Sequence, residues 1–226
     1  MATSTPSTPA SPRLLVLISG NGSNLQALIS ATTSTPPTLP AHIIHVISNK
    51  KAAFGLTRAA NANIPTTYHN LVPYKKQHAD IASARQAYDA ELVRLILEQK
   101  PDMVVCAGWM HIFSEAALQP LVEAGVGIIN LHPALPGQFD GADAIERAYK
   151  AFQRGEIGGT GIMIHWVICE VDRGEPIVVR EVEMVAGEEL AELEERIHRV
   201  EHVEIVNGTR MALKRLMRER EAAGRT

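Results

Sequence analysis

Three short groups of residues in this chain have types and spacing suited to chemistry. The first is Gly20-Asn21-Gly22-Ser23-Asn24, where the apolar run Leu14-Leu15-Val16-Leu17-Ile18 stops in small polar residues before the helical pattern that begins at Leu25. A strand delivering the chain to glycines that tolerate positive φ, followed by a helix N-terminus with unpaired N–H groups, makes an anion cradle that needs no lysine. The alternative is a tight strand-to-helix turn that binds nothing. The second group is Asn130-Leu131-His132-Pro133, which ends the apolar run Gly127-Ile128-Ile129. Strand alternation puts Asn130 and His132 on one face, and Pro133 turns the chain out of the sheet just beyond them. The third is Asp172, in the turn-rich stretch Glu170 to Glu175. Read alone it is an ordinary surface turn. Brought to His132 by the fold, its carboxylate would hold one ring nitrogen and raise the imidazole's pKa, providing a proton donor near neutral pH.

The glycine loop excludes two common phosphate binders. A dinucleotide fingerprint needs a third glycine where Leu25 stands and an acidic residue where Ser48-Asn49-Lys50 follows the next apolar run. A Walker loop needs Gly-Lys-Ser/Thr, and no such triplet follows Gly22. The loop therefore suits a small phosphorylated ligand held by backbone amides, with the Ser23 and Asn24 side chains as further hydrogen-bonding groups. A net charge of −3 supplies no general field for nucleic acid, so an anionic substrate must be caught locally.

The elements that must position these groups follow from hydrophobic patterning. With 226 residues and 46% hydrophobic content, residues 13–226 suit a single domain after a Ser/Thr/Pro tail at 1–12, which is expected to be disordered. Strand candidates fall at 13–19, 43–48, 65–68, 102–106, 127–131 and 161–168, with helices between them at 23–31, 53–62, 82–99 and 142–153. This alternation predicts an α/β fold with a mostly parallel twisted sheet and helices on both faces, and places residues 20–24, 108–111 and 130–132 together at the strands' carboxyl ends. Runs 161–168 and 176–184 read as an antiparallel C-terminal pair. A helix at 188–221 carries Leu190, Leu193, Ile197, Val200 and Val203 as its docking stripe, with a possible break at Gly208. The Thr32 to Pro40 stretch reads as a linker within the domain.

Cys106 and Cys169 lack CxxC spacing and read as reduced core thiols of a cytoplasmic protein. His42/His45 and His198/His202 have ligand-like spacing, but neither pair has the glutamate of a zinc helix or a third ligand of the right kind nearby, so no metal is expected. No apolar run is long enough for a membrane span, and the N-terminus lacks the pattern of a targeting leader. Partners are then small-molecule substrates, with neither nucleic acid nor membrane, in a monomer or homodimer.

Taken together, Val16 to Leu28, Ser48-Asn49-Lys50 with Ala53-Phe54-Gly55-Leu56, Ala87 to Leu92, Ala107-Gly108-Trp109-Met110, Asn130 to Leu135 and Asp172-Arg173-Gly174-Glu175-Pro176 resemble the phosphoribosylglycinamide formyltransferases, from about Arg13 to about Met217. The resemblance implies a Rossmann-like formyltransferase fold and, as co-substrate, 10-formyltetrahydrofolate. It implies formyl transfer to the amine of N1-(5-phospho-D-ribosyl)glycinamide in purine synthesis. It also implies that Asn130, His132 and Asp172 are the catalytic residues. Gly20, Asn21, Gly22, Ser23, Asn24 and Glu201 would meet the phosphorylated acceptor. Arg85, Met110, His111, Ile112, Phe113, Asn130 and the stretch Cys169, Glu170, Val171 and Asp172 would surround the folate.

Two departures set this chain apart from bacterial relatives and nearer to fungal ones. Residues 133–141 form a different loop, Pro133-Ala134-Leu135-Pro136-Gly137-Gln138-Phe139-Asp140-Gly141, and His111 stands where arginine is common. Neither departure points to another reaction. The alternatives are a hydrolase that gives the formyl group to water, which has no use for the glycine loop, and a non-catalytic sensor of phosphoribosyl ligands. A formyltransferase acting on tRNA would carry an added domain and a basic surface.

Overall fold

The apolar run at Leu14–Ile18 folds as predicted, into a strand covered on both sides. In the computed structural model, which describes residues 11–224, this is β1 (Arg13–Ile18). Its side chains alternate between two cores. Leu14, Val16 and Ile18 pack in one with Leu25, Leu28, Ile205 and Leu213, while Leu15 and Leu17 pack in the other with Tyr88, Leu92, Ile96 and Leu121. A strand buried on both faces must be apolar at every position, which explains the unbroken run.

After β1 come α1 (Ser23–Thr33), β2 (His42–Ser48), α2 (Phe54–Asn61), β3 (Thr66–Tyr68), α3 (Val72–Gln77), α4 (Ile81–Glu98) and β4 (Met103–Cys106). The second half holds α5 (Glu115–Glu123), β5 (Gly127–His132), α6 (Ala144–Gln153), β6 (Thr160–Trp166), β7 (Pro176–Val182) and α7 (Leu190–Ala222). The sheet order is β3-β2-β1-β4-β5-β6-β7. Pairings from β3 to β5 are parallel; β6 is antiparallel to β5, and β7 to β6. The fold class is as expected, but the run at 161–168 does not continue the parallel series. It reverses against β5, and that reversal sets His165 directly opposite Asn130.

Helix α7 runs unbroken through Gly208. A Cβ there would lie 2.8 Å from Ile164 Cγ2, so this glycine marks a close helix–sheet crossing rather than a break. Its buried stripe runs through Leu193, Ile197, Glu201, Ile205, Gly208 and Leu213; Val203 turns to solvent, against the expected stripe. Helices α3 and α5 were not anticipated: one has six residues with Pro73 in its first turn, and the other carries Pro120. The Thr32–Pro40 stretch is no loose linker, because α1 extends to Thr33 and Leu39 is fully buried. Cys106 is buried, as expected, but Cys169 is exposed because β6 ends at Trp166 and leaves it in the following loop. The expected tail lies almost wholly at residues 1–10, outside the described residues.

Candidate active site

One cleft of about 540 Å³ opens along the carboxyl ends of β1, β4 and β5. Its walls are residues 20–24, 106–113, 130–133 and 141–146, then His165, Val167, Ile168 and residues 170–172, with Leu190, Glu194, His198 and Glu201 of α7. The three segments expected to meet therefore do so.

The glycine loop is shaped by a backbone crossing. Gly22 has φ +74°, and a Cβ on it would fall 2.6 Å from Gly55 Cα at the start of α2. Only glycine combines that conformation with that approach. The Gly55 N–H donates to Gly20 O at 3.2 Å, and Arg58 holds Asn21 through its carbonyl and its Oδ1, both at 3.0 Å. Helix α1 then begins with neither a side-chain cap nor an acid in its first turn, leaving its positive end to the cleft. Asn24 Nδ2 donates to Glu201 Oε2 at 3.0 Å, while Asn24 Oδ1 is buried and takes no hydrogen bond among the described residues. Burial raises the Glu201 carboxyl above the usual range, more than the Asn24 hydrogen bond and nearby His198 lower it.

At the centre of the cleft, Asp172 joins three side chains of the sheet. Its Oδ2 is 3.3 Å from His132 Nδ1 and accepts the Gly141 N–H at 2.8 Å. Its Oδ1 accepts from Asn130 Nδ2 at 3.1 Å and lies 3.3 Å from His165 Nε2. The other nitrogen of His132 is 3.1 Å from Gln138 O, so both ring nitrogens face oxygens that only accept. Burial alone would raise the Asp172 carboxyl; the His165 contact, the Gly141 N–H and the charges of His132 and His165 outweigh it and hold the carboxyl below its usual range. The turn reaches this position because Asp172 itself has φ +54° and because Gly174 passes Trp166 O where a Cβ would stand only 1.6 Å away.

The expected folate segment forms the remaining wall. Met110 and Ile112 are 62% and 50% exposed and line the cleft, with Phe113 buried beneath them. Glu170 and Val171 line it as well, whereas Cys169 does not. Arg85 stands off the cleft wall and donates to Ile112 O at 3.2 Å, so it touches the segment from behind.

His165 was not among the expected site residues. Its signal was an imidazole inside the apolar run Gly161 to Trp166, and only the antiparallel register reveals that it shares a face with Asn130. His165 Nδ1 donates to Trp166 O at 2.9 Å, and its Nε2 stands between Asn130 Nδ2 at 3.2 Å and Asp172 Oδ1 at 3.3 Å.

Amide and imidazole joined through a carboxylate beside an uncapped helix N-terminus suit acyl transfer, and the class is formyl transferase: the family model of that description matches residues 12–209. Among relatives, the phosphoribosylglycinamide formyltransferase of Schizosaccharomyces pombe is 54% identical over 85% of this chain and 93% of its own length. That of Saccharomyces cerevisiae is 48% identical over 90% and 98%. The solved structure of glycinamide ribonucleotide transformylase 1 from Geobacillus kaustophilus aligns with a TM-score of 0.76 at 32% identity, covering 90% of this chain and 100% of that one. The chain belongs to the phosphoribosylglycinamide formyltransferase family.

Proposed function

We propose that this enzyme moves the formyl group of 10-formyltetrahydrofolate to the amine of N1-(5-phospho-D-ribosyl)glycinamide, giving the N-formyl product and tetrahydrofolate in purine synthesis. The observation that carries this reading is the meeting of Asn130, His132 and Asp172 in the same cleft as the glycine loop. The acceptor's phosphate lies on residues 20–24 and the α1 N-terminus. Glu201 and the unpaired Asn24 Oδ1 meet its polar groups, and the folate's ring lies against Met110, Ile112 and the 170–172 turn.

The acceptor amine attacks the formyl carbon, forming a C–N bond and an oxyanion. With Nδ1–H on Asp172, protonated His132 turns its Nε2–H from Gln138 O onto that charge. One N–H of Asn130 stays on Asp172, and the other, shared with His165 in the free protein, turns onto the oxyanion. Collapse breaks the bond from the formyl carbon to the folate nitrogen. The acceptor nitrogen gives up a proton and the departing folate nitrogen takes one, with His132 placed to carry it. Asp172 orients the ring and balances its charge.

The test is to mix the purified protein with both substrates and follow release of tetrahydrofolate. Release that depends on the phosphorylated acceptor is expected. Release without acceptor would make the protein a hydrolase, and acceptor binding without release would make it a sensor.

A further inference from the structure

Asp89 is 2% exposed on α4, and the proposed reaction gives it nothing to do. Its Oδ1 accepts from His111 Nε2 at 2.5 Å, with the two side chains 3% and 8% exposed. Its Oδ2 takes the Ser114 N–H at 3.1 Å and the Ser114 hydroxyl at 2.5 Å. Burial alone would raise this carboxyl, but the hydrogen bonds from His111 and Ser114 outweigh it and hold it below its usual range. The His111 ring is also fixed edge-on to Tyr88, 4.7 Å between centroids, and Tyr88 stacks on His69 at 4.3 Å.

The surrounding segment alternates in purpose. Met110 N takes the Ser19 hydroxyl as acceptor at 2.8 Å, His111 goes to Asp89, and Ile112 O takes Arg85, while the Met110 and Ile112 side chains are left free to face the cleft. A buried charge-assisted bond is the strongest of these ties.

We propose that His111 is a positioning residue that acts through Asp89, latching the 110–113 segment so that Met110 and Ile112 present a preformed apolar wall to the folate. This rests on the folate assignment above. His111, although part of the wall, therefore serves the folate chiefly through its tie to Asp89, with only 8% of its side chain exposed.

The test uses H111A, D89N, the double variant and H111Q, with thermal unfolding to confirm that each is folded. Steady-state kinetics and direct binding of tetrahydrofolate are the readouts. Losing one charge-assisted buried bond predicts that H111A and D89N each raise the folate KM about tenfold or more. The double variant should be no worse than the worse single one, because the two changes break one interaction. The acceptor KM should stay near wild type, and H111Q, which keeps an N–H donor, should recover most of the folate affinity. A wild-type folate KM in D89N overturns the latch, as do equal rises in both KM values. Wild-type protein that turns over normally but is matched by every variant sinks this inference alone. Wild-type protein that neither binds tetrahydrofolate nor transfers formyl sinks the functional reading along with it.

Discussion

Replacing Asp172 with Asn tests the centre of the mechanism with almost no change in shape. The carboxylate faces two pairs of groups: Gly141 N–H and His132 on Oδ2, Asn130 and His165 on Oδ1. An amide has one accepting oxygen. Its best orientation keeps that oxygen on Gly141 and His132 and turns its NH₂ toward His165 Nε2, so the turn survives while the negative charge is lost. At the 3.3 Å separation of His132 Nδ1 and Oδ2, the bare attraction for an imidazolium is about 5 kcal/mol at an effective dielectric near 20. Desolvation and relaxation reduce this to the roughly 1.5–3 kcal/mol measured for hydrogen bonds to charged groups. That loss, felt where charge develops, lowers kcat by roughly 10- to 150-fold. Both KM values should move little, since the glycine loop and the 110–113 segment are untouched and the isosteric amide leaves the 170–172 turn in place. Acid stability supplies a second readout. A carboxyl whose folded pKa is below its unfolded value stabilises the fold above the ordinary carboxylate range and loses that contribution as pH falls through the folded pKa. The wild-type enzyme should therefore lose stability on acidification more steeply than D172N. Steady-state formyl transfer within about threefold of wild type across the pH range would refute the role given to Asp172, since that is under 1 kcal/mol.

Three further substitutions probe the site and its support. Glu201→Gln removes a carboxyl whose folded pKa is raised; such a group favours the fold below its unfolded pKa and loses that contribution as pH rises through the folded value. E201Q should thus gain in Tm over wild type as pH rises from acid toward neutral while its acceptor KM increases, and a Tm difference that does not vary with pH would contradict this. Gly22→Ala forces a Cβ to 2.6 Å from Gly55 Cα at φ +74°; it should weaken acceptor binding and leave tetrahydrofolate binding intact, and calorimetry of both ligands distinguishes this from general damage. Gly208→Ala would gain about 1 kcal/mol of helix propensity in an open helix. Here the Cβ meets branched atoms of Ile164 at 2.8–3.0 Å, so overpacking of about 1–3 kcal/mol should win, with G208V worse still by urea denaturation.

The parts of the fold that could be read from the sequence were those whose burial leaves a period. Strands β1 and β4 are apolar at every position after Arg13 because both faces are covered, β2 and β5 carry shorter apolar runs, and α4 shows a helical repeat. Strand direction leaves no such mark: an apolar run reads the same parallel or antiparallel, so the reversal of β6, and with it His165 in the site, became visible only through register. Gly208 misled for a similar reason, because a helix break and a close helix–sheet crossing both call for glycine. Asn130 and His132 stood out as polar groups at the end of an apolar strand, whereas Asp172 read alone as an ordinary turn and mattered only if the fold brought it to His132, as it does. Asp89 was not, since an acid on a polar helix looks like any solvated charge until its burial is known.

Two acids with buried side chains, Asp172 and Glu201, line the cleft and a third, Asp89, stands behind its wall; their surroundings divide their work. Asp172 and Asp89 each face a histidine, which outweighs the penalty of burial and keeps them anionic, so each can hold and orient a cationic or N–H-bearing ring. Glu201 has an amide as its hydrogen-bonding partner, and burial wins. Burial therefore works against a fixed anion at the end of the cleft where the α1 N-terminus points, the end at which we place the acceptor's phosphate, whereas Asp172 holds its charge at the centre, where we place the oxyanion.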